Sequence, residues 1–377
     1  MTRRVFISAV AAAAAAPLLG RAAAPAVSDR EIVIGQTLAV TGPLSTLTKT
    51  FMAGAQLAFD ESDRQGGIWG RKLRLVTLND ELNAEKAAAN CRALLDEHRA
   101  FTFFCTTGTD TTVAASKVLR EEGAALFAPF AVLDSAREKT AGTAYFTRAT
   151  LARESDALVQ HLATIGVSRI ALAYIDQPMT GPELAAIFEQ AFTRHKLKAQ
   201  AVAAVKLDGT NLPDVTRTLL AGNPQVVIMA LAGPQAPQLM QSIWNMGAGP
   251  SFYGLSVVPG DLVAKILGNK SRTITIVQVA PSPWGEADPL IRRYRVLATA
   301  AKVPVDYLSV EGFLSAQVMI EALKRCGKDL TRPRLQAVLR SFSARIGGMH
   351  IDFTGGQFNG SRFVELVQVG HDGRFVR

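Results

Sequence analysis

In residues 51–78, FMAGAQLAFDESDRQGGIWGRKLRLVTL, the spacing of the apolar residues changes once, from a helical pattern to a strand pattern. This change decides the fold class. Four apolar residues of the first half share one helical face: Phe51, Ala55, Ala58 and Phe59. Gly66-Gly67 is typical of a helix end, and Leu73 to Leu78 follows as a predicted strand. Because Ile32 to Leu38 upstream is also an apolar run of strand length, the segment completes a strand–helix–strand unit.

The same alternation of strands and helices continues along the chain in two series, at residues 32–130 and 154–280. This order predicts the α/β class, with two doubly wound parallel-sheet lobes and helices on both faces of each sheet. Three more helices and two late β runs follow, at about 288–301, 309–325, 331–342, 349–353 and 363–369. Because ligands of such sheets bind beyond the carboxyl ends of the strands, two lobes predict a binding crevice between them.

The composition favours an ordinary globular chain that binds a small molecule. The 377 residues are 48% hydrophobic and 19% charged, enough for two domains with cores. The net charge of +9 is spread along the chain, without a basic block interleaved with aromatic residues, so nucleic acid is not an expected partner. No His/Cys spacing indicates a metal, and no motif indicates a cofactor. Whether Cys91 and Cys105 form a disulfide stays open.

Residues 1–26 have the features of an export signal. Arg3 and Arg4 precede an apolar, Ala-rich run too short to span a bilayer, and small residues suit cleavage near Ala24 or Ala26. The paired arginines also match a twin-arginine signal, while an ordinary secretory signal remains the alternative. We therefore expect a soluble, periplasmic protein.

An enzyme is the weaker interpretation. In YGLSVVPGD, residues 253–261, Ser256 resembles the nucleophile of a G-x-S-x-G elbow, but the second glycine is missing. None of the five histidines stands in a recognisable triad order. Neither a G-x-G-x-x-G, a Walker A nor an H-E-x-x-H motif occurs. The sequence favours binding without catalysis.

Several segments together resemble a known family. They are Ile34-Gly35, Thr41-Gly42-Pro43-Leu44, Gly54 to Glu61 and Gly66 to Leu73. In this order they are similar to type I periplasmic solute-binding proteins, in particular the branched-chain amino-acid (Leu/Ile/Val) binding family of ABC importers. The resemblance implies two lobes joined by three hinge crossings, a ligand in the cleft between them, closure by hinge motion, and an inner-membrane ABC permease as partner of a monomer.

The resemblance also suggests how the chain divides. Tyr145 to Thr150, Val277 to Pro283 and Met349 to Phe353 are the candidate crossings. Lobe 1 is then expected at 31–147 plus 282–350, and lobe 2 at 148–281 plus 351–377.

In this family the first lobe holds a ligand carboxylate at a helix N-terminus. The corresponding loop here is Thr106 to Thr112, and the expected contacts are Gly108, Thr109 and Thr111, with Leu44 beside them. The alternative is that the hydroxyls only cap the helix. Asp110 is compatible with an anion only if it caps the helix and points away. Phe130 and Ala131 stand where the family often has Ser or Thr, so they predict apolar surface.

The second lobe departs further from the family. After Tyr174, Thr180 stands where a tyrosine is usual, and the loop at Ser256 lacks the carboxylate that amino-acid binders place there. Asp261 is better placed to cap the next helix. Because a buried ammonium needs a partner, this loop predicts a less polar carboxylate or a neutral ligand rather than an α-amino acid.

Two residues near the crossings keep two interpretations each. Trp284 either lines the cleft floor or packs in the hinge, and Arg148 either meets an anion or forms a structural ion pair. The function also keeps alternatives: a sensor subunit for a chemoreceptor or histidine kinase, or a branched-chain amino-acid binder with a non-standard ammonium site.

Overall fold

A computed structural model of the chain describes residues 27–42, 44–258, 260–268, 274–369 and 375–376. The predicted export signal at 1–26 and the side chain of Asp261, expected to cap a helix, lie outside the described parts. Within the described ranges, no helix combines the length and apolar character needed to cross a bilayer.

The first lobe is built on a parallel sheet of strand order β2-β1-β3-β4-β5. Its elements are β1 (Glu31–Leu38), α1 (Ser45–Arg64), β2 (Lys72–Asn79), α2 (Ala84–Asp96), β3 (Thr102–Phe104), α3 (Thr109–Glu121), β4 (Leu126–Phe127), α4 (Asp134–Lys139) and β5 (Ala144–Tyr145). The predicted helix–turn–strand at 51–78 is confirmed, with Gly66 and Gly67 at positive φ between α1 and β2.

The second lobe repeats the pattern. Its elements are α5 (Leu151–Thr164), β6 (Ile170–Ile175), α6 (Thr180–Arg194), β7 (Ala199–Val205), α7 (Leu212–Leu220), β8 (Val226–Ala230), α8 (Gln235–Asn245), β9 (Ser251–Gly254), α9 (Gly260–Leu267) and β10 (Ile274–Gln278). These strands are mutually parallel in the order β10-β9-β8-β6-β7. The predicted α/β class with two sheets is therefore confirmed.

The C-terminal helices return to the first lobe. They are α10 (Pro289–Ala300), α11 (Tyr307–Arg325) and α12 (Arg332–Arg340). Helix α11 lies directly against α1 because glycines stand at the contact. A Cβ added at Gly54 would lie 1.7 Å from the Ser309 carbonyl oxygen, and one at Gly312 would lie 1.8 Å from the Phe51 carbonyl oxygen. Only glycine permits this backbone approach.

The third connection between the lobes differs from the expected crossing at Met349 to Phe353. That segment, β12 (Met349–Asp352), forms an antiparallel hairpin with β11 (Ser343–Ile346). Gly347 and Gly348, both at positive φ, make the tight turn that reverses the chain. Ile351 and Phe353 are consequently buried in the core of the first lobe rather than belonging to the second.

The chain reaches the second sheet only after this hairpin. Residues 353–364 lead to β13 (Glu365–Val369), which pairs antiparallel with β10, and β14 (Phe375–Val376) pairs antiparallel with β13. The first connection, 146–150, runs beside this third one: Phe146 accepts a hydrogen bond from the Gly360 N–H (2.8 Å) and donates to the Phe358 carbonyl (2.7 Å). The disulfide left open between Cys91 and Cys105 is absent, since all three cysteines are buried free thiols.

Candidate functional site

The N-terminus of α3 offers backbone donors. Gly108 occupies the N-cap at φ 91°, and its own N–H donates to the Phe130 carbonyl at 2.9 Å. Within the described residues, nothing accepts from the N–H groups of Thr109, Asp110 and Thr111. Because the helix dipole adds positive potential there, this turn suits an anion.

The hydroxyl groups of this loop are engaged with the loop itself. Thr106 and Thr112 share a hydrogen bond of 2.7 Å, and the Thr111 hydroxyl donates to the Thr107 and Gly108 carbonyls. The Thr109 hydroxyl oxygen accepts from the Leu133 N–H at 3.1 Å. None of these side chains caps α3, and Asp110 is exposed rather than capping. The hydroxyls therefore rigidify the turn that presents the N–H groups.

Phe130 links this loop to the first connection. Its ring is 2% exposed and packs on Phe51, with ring centroids 5.4 Å apart. The Arg148 guanidinium lies 5.2 Å from the Phe130 ring centroid, within cation–π range. The apolar surface expected from Phe130 is thus covered by protein, while its neighbour Ala131 is half-buried at φ 54°.

Arg148 is the centre of a buried charged cluster that joins both lobes. Its guanidinium donates to the Ser256 hydroxyl and lies 3.6 Å from carboxylate oxygens of Glu154 and Glu311. Glu154 in turn accepts from the Ser256 N–H at 2.8 Å. Arg148 is 4%, Glu154 0% and Glu311 7% exposed, so the cluster is shielded from water. The structural ion pair expected as one alternative for Arg148 is present.

Arg137 extends the cluster along the first connection. It is 2% exposed and donates to the carbonyls of Arg148 (3.3 Å) and Ala149 (2.9 Å), and it lies 3.4 Å from Asp134. Asp134 also accepts from two N–H groups at the start of α5. The cluster thus contains two arginines and three carboxylates.

Burial dominates the electrostatics of the cluster. Loss of hydration raises the pKa of Glu154 and of Glu311, and the nearby Arg148 charge offsets part of that rise. Burial likewise lowers the pKa of Arg137 to about 10. One oxygen of Glu154, Oε1, has no hydrogen-bond partner although it is buried. Burial therefore disfavours the ionised form of both glutamates, and protonation of either one relieves that cost.

The Ser256 turn is not built as a catalytic elbow. Strand β9 ends at Gly254, and the Val258 N–H donates to the Leu255 carbonyl at 2.9 Å to close the turn. The described hydrogen-bond partners of Ser256 are an arginine and a glutamate, where a nucleophile would need a general base.

Four more predicted site residues stand next to helix starts or in ring contacts. Leu44 precedes α1, and its carbonyl accepts from the Thr48 hydroxyl at 2.8 Å. Tyr174 lies beside the start of α6, where Thr180 is the first helical residue. Trp284 packs edge-on against Tyr307, with ring centroids 5.8 Å apart, as the hinge-packing alternative expects.

A second polar contact also joins the lobes. In α4 the Ser135 N–H (3.0 Å) and hydroxyl (2.5 Å) both donate to the Glu183 carboxylate in α6. The loops beyond β4, β6 and β9 therefore meet at one place, around the first connection.

A family model described as "Periplasmic binding protein" matches residues 31–374. This chain belongs to the periplasmic binding protein family. The resemblance seen at residues 34–73 is thereby confirmed, and the family is one of solute-binding components of ABC-type transporters rather than of enzymes.

Relatives within the family agree with this assignment. A substrate-binding periplasmic protein from Ralstonia solanacearum is 28% identical, with a TM-score of 0.82 over 92% of this chain and 99% of that one. A solute-binding protein from R. palustris in complex with benzoate shares the fold at 18% identity and a TM-score of 0.79, over 92% and 95% of the two chains. A Leu/Ile/Val-binding protein homolog from Brucella suis is 32% identical over 130 residues, which are 34% of this chain and 31% of that protein.

Sequence reasoning missed the three acids of this binding protein's charged cluster, among them Glu311 and Glu154 beside Arg148. Glu311 had a signal: it stands in a helix that is buried on most of its surface, where a carboxylate requires a partner. Glu154 had a weaker one, because an acid in the first turn of α5 is ordinary for a helix start. The loop at Ser256 does lack its own carboxylate, but α5 brings one to its backbone.

Proposed function

We propose that this protein is the extracytoplasmic solute-binding component of an ABC importer and that it binds a small organic carboxylate. The observation that carries the proposal is the start of α3, where three N–H groups beside Gly108 have no acceptor among the described residues. A carboxylate satisfies such donors and the helix dipole together. Benzoate, which the R. palustris neighbour holds, has this group.

The remaining part of the ligand is proposed to be weakly polar. On the second-lobe side the Ser256 hydroxyl is proposed to border the ligand, but it already bonds to Arg148 and to Glu154, so it adds little polarity to the site. Glu154 and Glu311 are buried beside Arg148, so neither presents a free carboxylate to an ammonium group. An aromatic or aliphatic carboxylate without an α-amino group fits these conditions best, and a neutral molecule fits the second-lobe side equally.

The ligand is proposed to lie in a cleft between the lobes that closes by hinge motion. Lobe 1 is proposed to comprise about 31–147 and 282–353, and lobe 2 about 148–281 and the segment after the β11–β12 hairpin. Leu44, Ala131, Tyr174, Thr180 and Trp284 are proposed to border the cleft, and an inner-membrane permease to receive the closed form from a monomer.

A second candidate is a branched-chain amino-acid binder with a non-standard ammonium site. The Oε1 of Glu154 favours it, because this buried oxygen lies 3.6 Å from Arg148 without a hydrogen bond among the described residues, and an ammonium group could supply one. The complete burial of Glu154 weighs against it, since a ligand would have to displace Arg148 or Ser256 to reach that oxygen.

Two measurements test the proposal. Native mass spectrometry of the protein as purified identifies a retained molecule, which we expect to be a carboxylic acid. Isothermal titration with free amino acids and with aromatic and aliphatic carboxylates then ranks the candidates. Micromolar binding of leucine or valine, with weaker binding of every simple carboxylate, would establish the second candidate instead.

A further inference from the structure

A groove of about 510 Å³ lies beside the connections between the lobes, and none of its described lining residues belongs to the start of α3. Thr150 and Arg153 line it from the start of α5, and residues 357–362 of the third connection line the rest. These two segments adjoin, because Phe146 pairs with the 358–360 backbone. The volume is in the range of small-molecule sites.

The two arginines of the groove have unused donors. The Arg153 Nε donates to the Arg362 carbonyl at 2.6 Å, which fixes the two residues side by side. In the described structure neither the terminal nitrogens of Arg153 nor the guanidinium of Arg362 has a hydrogen bond or an ion pair. Hydrogen bonds from Thr354, and after them the charge of Arg362, lower the pKa of Asp352, but Asp352 does not line the groove.

The neutral polar residues of the groove also present donors. The side-chain oxygen Oδ1 of Asn359 accepts from Arg137 at 3.0 Å, so the side-chain NH₂ group of Asn359 is left to donate to a ligand. The oxygens of Ser361 and Thr150 accept from backbone N–H groups, at 3.1 and 3.2 Å, so their hydroxyl protons are free to be donated. No carboxylate is among the residues described as lining the groove.

We propose that this groove binds a small dianion, such as inorganic phosphate, between Arg153 and Arg362. Two arginines with unused guanidinium donors and several neutral donors line the groove without an acid among the described lining residues, a set that recognises a doubly charged oxyanion better than a monoanion. The site is separate from the carboxylate site at α3, and the proposal does not depend on it. Because the anion contacts the start of α5 and the third connection together, it stabilises the arrangement of the lobes seen here.

Isothermal titration and thermal unfolding with sodium phosphate, at constant ionic strength set with sodium chloride, test the proposal. We expect saturable phosphate binding and a rising unfolding temperature for the wild type. Arg153→Gln and Arg362→Gln each remove charge-assisted hydrogen bonds, so each should weaken phosphate affinity about tenfold or more. Arg345→Gln, the same charge change on exposed β11 outside the groove, should leave the affinity unchanged.

The proposal is overturned by either of two results. One is the absence of saturable phosphate binding to the wild type. The other is binding that Arg153→Gln and Arg362→Gln alter no more than Arg345→Gln does, since phosphate would then bind elsewhere.

Discussion

The turn that begins α3 and the turn that follows β9 occupy equivalent places, each at the carboxyl end of a buried strand in its own lobe. In the α3 turn, side chains bond to the turn itself, and the N–H groups of residues 109–111 have no acceptor in the part of the chain that the structure describes. In the β9 turn, the Ser256 N–H and hydroxyl oxygen are both taken, by Glu154 and Arg148.

The difference assigns the two turns different roles: we expect the α3 turn to bind the ligand and the β9 turn to stabilise the fold. The α3 turn is proposed to receive an anion, since no described residue accepts from its N–H groups, whereas the β9 turn is already occupied by the charges of Glu154 and Arg148. An ammonium group would have to compete with Arg148 for the buried acids. A ligand carboxylate at α3 has no such competitor.

Replacing the centre of the buried cluster should have the largest effect. Arg148→Met leaves Glu154 and Glu311 buried without a counter-charge, so we expect the free energy of unfolding to fall by about 3–5 kcal/mol. Urea unfolding of variant and wild type measures this.

Two comparisons make this result specific. Arg217→Met removes an exposed ion pair with Asp214 and should cost at most about 1 kcal/mol. Adding Glu154→Gln and Glu311→Gln to Arg148→Met should recover part of the loss. If Arg148→Met lowers the free energy of unfolding no more than Arg217→Met does, the buried cluster does not stabilise the fold.

Changing the α3 turn should affect stability less and binding more. Gly108→Ala forces a side chain into φ 91°, ψ 161°, at a cost of about 1–3 kcal/mol, and tilts the N–H groups. Carboxylate affinity by isothermal titration should fall about tenfold or more, as expected for loss of a charge-assisted hydrogen bond.

Gly142→Ala is the matched control for Gly108→Ala. Gly142 also has a positive φ, of 78°, and an added Cβ would meet nothing within 4 Å. It should lose stability without losing affinity. Equal loss of carboxylate affinity in both variants would show that the α3 turn does not bind the ligand.

Ser256→Ala should have a moderate effect on binding. It removes a hydroxyl that bonds to Arg148 and Glu154 and that is proposed to border the ligand, a contribution of about 0.5–1.5 kcal/mol, while the backbone bond to Glu154 stays in place. Titration of wild type and variant with the same carboxylate should show a change of a few-fold. An unchanged affinity would assign Ser256 to the support of the turn alone.

The pH dependence of stability should show the smallest effect. Burial raises the folded-state pKa of Glu311 above its usual 4.5, so this group favours the folded state at low pH and loses that contribution as pH rises through the raised pKa. Glu311→Gln removes the effect. Calorimetry should therefore show wild-type stability improving relative to Glu311→Gln on acidification from pH 7 to pH 5, and the opposite trend would contradict the burial argument.

Most of the fold could be predicted because the spacing of apolar residues alternates between a strand pattern and a helix pattern along the chain. The β11–β12 hairpin was missed since Gly347-Gly348 joins runs of only four residues each. The packing of α11 on α1 could not be read from the sequence, because the glycines that permit it are 258 positions apart, at Gly54 and Gly312.

The site was predictable only in part, for a related reason. The α3 turn is local, so its position at the end of β3 follows from the chain order. The charged cluster takes Arg148 from a connection, Glu154 from α5 and Glu311 from α11, and only the folded arrangement of both lobes brings them together.

The central claim is that the protein recognises a carboxylate and has no free partner for an ammonium group. Isothermal titration with 4-methylpentanoate and with leucine tests it most directly, because the two molecules differ only in the α-amino group. We predict that 4-methylpentanoate binds at least about tenfold more tightly, since an unpaired buried ammonium costs more than 1.4 kcal/mol. Tighter binding of leucine would contradict the claim and assign Glu154 Oε1, which has no hydrogen bond among the described residues, to the ligand's ammonium group.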